Sequence, residues 1–136
     1  MWLIFYSKTA TQYTAELIEK IAETFSADRI GVCRDRESLR TALLEPASNP
    51  WAIVLICSDR TDLLNVIAMR ELMFCTPVIL VLPDWDPETV AKGHTLRPRL
   101  LAWPGLASEE IVAVLQRVLE KVGNFNLIRG RYQDHE

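Results

Sequence analysis

The chain has 136 residues, with 15 lysines and arginines against 18 aspartates and glutamates, for a formal charge of −3; this balance excludes a broad nucleic-acid or anionic-membrane surface. Hydrophobic residues make up 49% and charged residues 24%, the proportions of a globular domain that buries about two-thirds of its unfolded surface and needs no staple. Cys33, Cys57 and Cys75 are odd in number, widely spaced and free of any Cys-x-x-Cys pair, and His94 and His135 lie in polar surroundings; buried thiols in a reducing compartment are expected, not disulfides or a metal site.

The opening Met1-Trp-Leu-Ile-Phe-Tyr has no basic segment before its short apolar run. It reads as a first strand and not as a secretory leader. No apolar run approaches the roughly 20 residues of a membrane span, so no membrane association and a cytoplasmic location are expected. Leu17, Ile18, Ile21 and Phe25 recur at helical spacing with charged residues between them, and Thr11 or Thr14 suits the N-cap. Ile30 to Cys33 is a second apolar run. Asp35 is the N-cap expected for a helix carrying Leu39, Leu43 and Leu44, which Pro46 stops. Ala47-Ser-Asn-Pro50 reads as a loop.

Trp51 to Cys57 is a continuous apolar stretch of the kind found in strands covered on both faces. Asp59 or Thr61 caps the next helix, whose expected core face is Leu63, Leu64, Ile67, Ala68 and Leu72. Val78 to Leu82 is a fourth strand between Pro77 and Pro83. Asp86-Pro87 forms an N-cap and first-turn pair for a short helix limited by Gly93 and Pro98. Leu100 to Trp103 is the fifth strand. Ser108 is the expected cap of a last helix with Glu109 and Glu110 in its first turn and Ile111, Leu115, Val118, Leu119 and Val122 as its stripe. Gly123 is the expected stop, dividing a domain over 1–123 from a tail or linker over 124–136.

Apolar strands alternating with amphipathic helices predict an α/β fold, a doubly wound five-stranded parallel sheet of flavodoxin-like order 2-1-3-4-5. Ligands of such sheets bind at the carboxyl ends of the strands. Those ends are Ser7 to Thr11, Cys57 to Asp62, Leu82 to Asp86 and Trp103 to Gly105.

The arrangement resembles the receiver domains of response regulators. Leu100-Leu-Ala-Trp-Pro-Gly-Leu-Ala-Ser-Glu-Glu-Ile111 is similar to that family's closing strand, Lys-Pro turn and acidic helix start, and Thr76 to Leu82 and Trp51 to Cys57 look like its fourth and third strands. The resemblance spans residues 1 to about 122. It implies a signalling domain that is not an enzyme and whose fourth helix, fifth strand and fifth helix meet a protein partner such as a signalling kinase or output domain, with a homodimer through the same surface. It also implies a cis bond before Pro104.

The phosphorylation chemistry does not carry over. The acidic pair after the first strand is replaced by Tyr6-Ser-Lys-Thr-Ala-Thr11, the phosphoacceptor Asp by Cys57, the phosphate-sensing hydroxyl by Leu82 and the Lys by Trp103. Phosphoryl transfer to a carboxylate needs Mg²⁺ held by several oxygen ligands and a cation against the developing charge. The resemblance therefore implies a pseudo-receiver with no cofactor, acting through protein–protein contact. Cys57 is expected buried and inert, and Trp103 is expected to fill the space of the vanished charged site. Trp85 is equally a filler or a contact residue.

A second resemblance stays open. Leu3-Ile-Phe-Tyr-Ser-Lys-Thr-Ala-Thr-Gln-Tyr-Thr-Ala-Glu-Leu-Ile18 looks like the opening of a flavodoxin. It implies binding of flavin mononucleotide or another small ligand by Ser7, Thr9 and Thr11, with Asp59 and Trp85 nearby. The usual glycine and asparagine of that loop are Ala10 and Thr11 here. Lys92, Arg97 and Arg99 form a small basic group expected to be a solvated loop.

Overall fold

A computed structural model describes residues 2–25, 30–45 and 49–134, with side chains to residue 121. Strands β1 (Leu3–Ser7), β2 (Ile30–Cys33), β3 (Ala52–Ile56), β4 (Val78–Val81) and β5 (Leu100–Ala102) alternate with helices α1 (Gln12–Phe25), α2 (Arg36–Leu44), α3 (Arg60–Ile67), α4 (Pro87–His94) and α5 (Ser108–Asp134). The strands form one parallel sheet in the expected order β2-β1-β3-β4-β5. Pro46, part of the Ala47–Pro50 loop and the Val122 side chain fall outside the described residues.

The central strands are apolar throughout because both faces are covered. Leu3 and Phe5 of β1 enter one core with Leu17 and Ile21 of α1 and Ile111, Leu115 and Val118 of α5. Ile4 and Tyr6 enter the other, with Leu39 of α2 and Leu63 and Val66 of α3. Alternate residues thus serve opposite layers, as the two-residue period of a strand requires. α4 packs closely on its layer: a Cβ on Gly93 would lie 2.9 Å from both Leu82 Cδ2 and Leu101 Cδ1. Gly93 is buried in the last turn of α4, which ends at His94, between the expected limits Gly93 and Pro98.

Several local expectations are corrected. The buried face of the third helical segment is Leu63, Val66, Met69 and Met73, while Leu64 is 48% and Leu72 36% exposed and Ala68 faces solvent. α3 is short and passes into a 3₁₀ turn over Arg70–Met73, and the inward phase is set within α3 itself by Leu63 and Val66. Ser108 is the first helical residue of α5; the Ala107 carbonyl accepts from the Glu110 and Ile111 N–H groups. α5 does not stop at Gly123 but runs to Asp134. One glycine costs a helix only about 1 kcal/mol, and no proline follows to break it.

The bond before Pro104 is trans, with no cis peptide among the described residues. Pro104 and Gly105 instead occupy the central positions of a β-turn. Leu106 N donates to the Trp103 carbonyl at 3.2 Å, and Gly105 has φ 81°. This is the type II turn that a Pro-Gly pair encodes. Cys33 and Cys57 are buried as expected, whereas Cys75 is exposed.

Candidate functional site at the carboxyl edge of the sheet

Four strand exits meet at this edge. At the end of β1, Ser7 is fully buried and its hydroxyl donates to the Thr9 carbonyl at 2.7 Å. Thr11 and Thr14 close a reciprocal cap on α1: Thr14 N donates to Thr11 Oγ1 at 3.2 Å, and Thr11 N donates to Thr14 Oγ1 at 3.0 Å. This is the pattern of a capping box with threonine in the usual glutamate position. Ser7 and Thr11 thus have internal partners, and Thr9 lends its carbonyl to Ser7 while its side chain is exposed.

At the end of β3, Cys57 is 4% exposed and belongs to the same core layer as Leu82. Burial, reinforced by the charges of Asp62 and Asp59, pushes its thiol well above the ordinary range. A protonated buried thiol is neither a nucleophile nor a metal ligand. Asp59 caps α3, accepting from Asp62 N at 2.7 Å.

Asp62, one turn on, is 2% exposed. Its Oδ1 accepts from Tyr6 OH at 2.5 Å, and its Oδ2 accepts from Ser58 N at 3.0 Å and Ser58 Oγ at 3.2 Å. This buried carboxylate is therefore held by three donors. Burial and the hydrogen bond to Asp62 push the Tyr6 phenol far above its usual range.

At the end of β4, Leu82 is 1% exposed and its N–H donates to the Ala102 carbonyl. The loop beyond carries Asp84 and Asp86, both paired with Arg60 of α3. Asp86 stands at the cap position of α4 without a side-chain capping bond, since its carboxylate is turned to Arg60. Arg60 also lies 4.0 Å from Glu88.

Trp85 and Trp103 meet edge to face with ring centroids 6.0 Å apart. They are 48% and 50% exposed. Trp103 thus does not fill the interior of the edge, which Cys57, Leu82, Tyr6 and Asp62 occupy. The type II turn starts at Trp103 and sets its indole on the surface. Among the described residues no group of three His, Cys, Asp or Glu is gathered to hold a metal ion.

No protein-family model and no curated protein matches the sequence. Solved structures do. The response regulator receiver protein of Pseudoalteromonas atlantica has a TM-score of 0.71 at 10% identity, covering 90% of this chain and 99% of that one. The beryllofluoride-activated receiver domain of DrrB gives 0.65 at 20% identity, covering 88% and 98%. This chain has the fold of a receiver domain. The CpaE2 protein of Sinorhizobium meliloti 1021, provisionally assigned to pilus assembly, gives a TM-score of 0.58 at 17% identity over 87% of this chain and 99% of that one.

The sequence located the receiver edge but missed the Tyr6–Asp62–Ser58 network and the Arg60 clamp. One signal was present. Tyr6 is the one aromatic hydroxyl in the buried strand β1, and a buried phenol requires a partner. Asp62 was hidden because the first turn of a helix ordinarily places acids in solvent.

Proposed function

We propose that this chain is a receiver-like signalling domain that is not phosphorylated and acts by protein–protein contact. The observation that carries the reading is Cys57: it stands, buried and packed in one layer with Leu82, where the receiver resemblance places the phosphoacceptor. The neighbouring carboxylates have other employment. Asp59 caps α3, Asp62 is held by Tyr6 and Ser58, and Asp84 and Asp86 face Arg60. The segment after β1 brings hydroxyls where Mg²⁺ coordination needs carboxylates.

A domain of this kind works as a fixed surface, since a switch requires a ligand with different affinity for two states. The half-exposed Trp85–Trp103 pair suits a protein contact, because tryptophan is enriched among residues that dominate interface energies. A cytoplasmic kinase or output domain is the class of partner, and a homodimer is the companion expectation. Among the described residues no helix is long and apolar enough to cross a membrane.

Thermal unfolding with and without Mg²⁺ and beryllofluoride, a mimic of the phosphoryl group, tests the reading. The melting temperature is expected to stay unchanged. A rise of several degrees that needs both additives, and that Asp59→Asn removes, contradicts it.

A further inference from the structure

The described cavities with the largest volumes lie away from this edge, near the amino ends of β4 and β5. One, of about 590 Å³, is lined by Phe74 to Pro77, Arg97, Arg99, Val118 and Lys121. A second, of about 490 Å³, shares Phe74, Thr76 and Arg97 with it and adds Arg70, Glu71 and Leu96. Phe74 stands where they meet and is 79% exposed, the most exposed of the large apolar side chains described.

Charge is distributed unevenly. The chain carries −3 overall, yet the first cavity is lined by three cations and no acid. The ion pairs described run elsewhere, between Lys20 and Glu109 and between Arg60 and Asp84, Asp86 and Glu88.

Arg97 carries a second observation. It follows α4 with φ 51°, the one described non-glycine residue with positive φ. Its N–H donates to the His94 carbonyl at 3.0 Å. Glycine suits this left-handed position after a helix and arginine does not. The fold thus keeps a guanidinium, at a conformational cost, where it lines both cavities.

We infer that this amino-terminal end docks an acidic segment of a partner protein, an apolar residue of the segment packing on Phe74 while its carboxylates meet Arg70, Arg97, Arg99 and Lys121. The inference rests on the protein-contact reading above and specifies a surface and a partner chemistry for it. A polyanionic nucleic acid fits less well, because the acidic remainder of the chain repels a long array of phosphates. An exposed aromatic lining one cavity with Arg97 and Arg99 is the composition of a protein-binding patch.

The test measures fluorescence anisotropy of a labelled twelve-residue peptide alternating glutamate and leucine, against the full chain. The comparison probes are a lysine–leucine counterpart and a twelve-nucleotide single strand. Binding of the acidic peptide is expected. It should weaken about tenfold in the double variant Arg97→Glu, Arg99→Glu and about fivefold in Phe74→Ala, and should fall with added salt. Arg97→Gly separates docking from folding: it should raise the melting temperature while weakening the peptide.

Failure of the acidic peptide to bind, binding indifferent to these variants, or tighter binding of the oligonucleotide would overturn the inference. Self-association abolished by the same variants would also overturn it, making a second copy the occupant. These outcomes leave the carboxyl edge untouched, whereas a response to Mg²⁺ and beryllofluoride would remove the non-phosphorylatable reading alone.

Discussion

Tyr6 and Asp62 are 56 positions apart, yet their hydrogen bond ties β1 to α3 at the centre of the carboxyl edge. A buried acceptor with three donors is costly to disturb. Asp62→Ala leaves the Tyr6 hydroxyl and the Ser58 N–H without their partner, and should cost about 3 kcal/mol by chemical denaturation. Tyr6→Phe removes one donor and should cost about 2 kcal/mol. The double variant should cost less than the sum, since both single changes break the same bond. Strict additivity would show that the bond does not stabilise the fold.

Cys57 and Tyr6 also set an alkaline limit. Burial raises the thiol above its ordinary 9.0 and the phenol above its ordinary 10.0. In both, folding favours the protonated form, so their contribution is complete below the unfolded values and declines as pH rises past them. Stability should therefore begin to fall near pH 9.0, where an unfolded thiol ionises. Cys33, also buried and raised by burial, loses its contribution over the same range, so Cys57→Ala should make the fall above pH 9.0 shallower without moving its onset. Denaturation midpoints measured from pH 8 to 11 check this, and an unchanged slope in the variant would refute it.

Helices and turns show what was legible and what was not. The strands and the caps of α1, α2 and α3 could be read locally. Continuous apolar runs marked β1, β3 and β4, and Asp35 and Asp59 cap α2 and α3 as expected. The phase of α3 could not, because Leu63, Leu64, Ile67 and Leu72 make as good a stripe on paper as Leu63, Val66, Met69 and Met73. Packing of Leu63 and Val66 against the strands decides between them. At Trp103-Pro104-Gly105 the Pro-Gly pair already encoded a type II turn, while the family resemblance pointed to a cis bond; local chemistry prevailed. Gly105→Ala should cost about 1 kcal/mol through its positive φ, and Thr11→Ala about 1 kcal/mol through the lost cap on α1. Thermal melts of the two variants test both, and an unchanged Gly105→Ala would argue against the type II turn.

For the whole molecule, order, spacing and alternation were enough to anticipate the sheet, and the receiver neighbours share it at identities of 8 to 20%. Such divergence preserves the layers because buried strands accept any well-fitting apolar side chain. The carboxyl edge here has an apolar interior of Cys57 and Leu82, a sequestered Asp62 and an indole pair on its surface, while the basic end near Phe74 faces the other way. The Trp103 indole was misplaced in advance because a vacant charged site suggested a filler, and the turn that carries it outward is a tertiary outcome.

On the proposed reading this edge does not accept a phosphoryl group. Intact-mass measurement after incubation with Mg²⁺ and a small acyl phosphate tests it most directly, with a working receiver treated alongside. The predicted spectrum holds the unmodified mass alone. A species heavier by one phosphoryl group, labile to hydroxylamine and lost in Asp59→Asn, would contradict it.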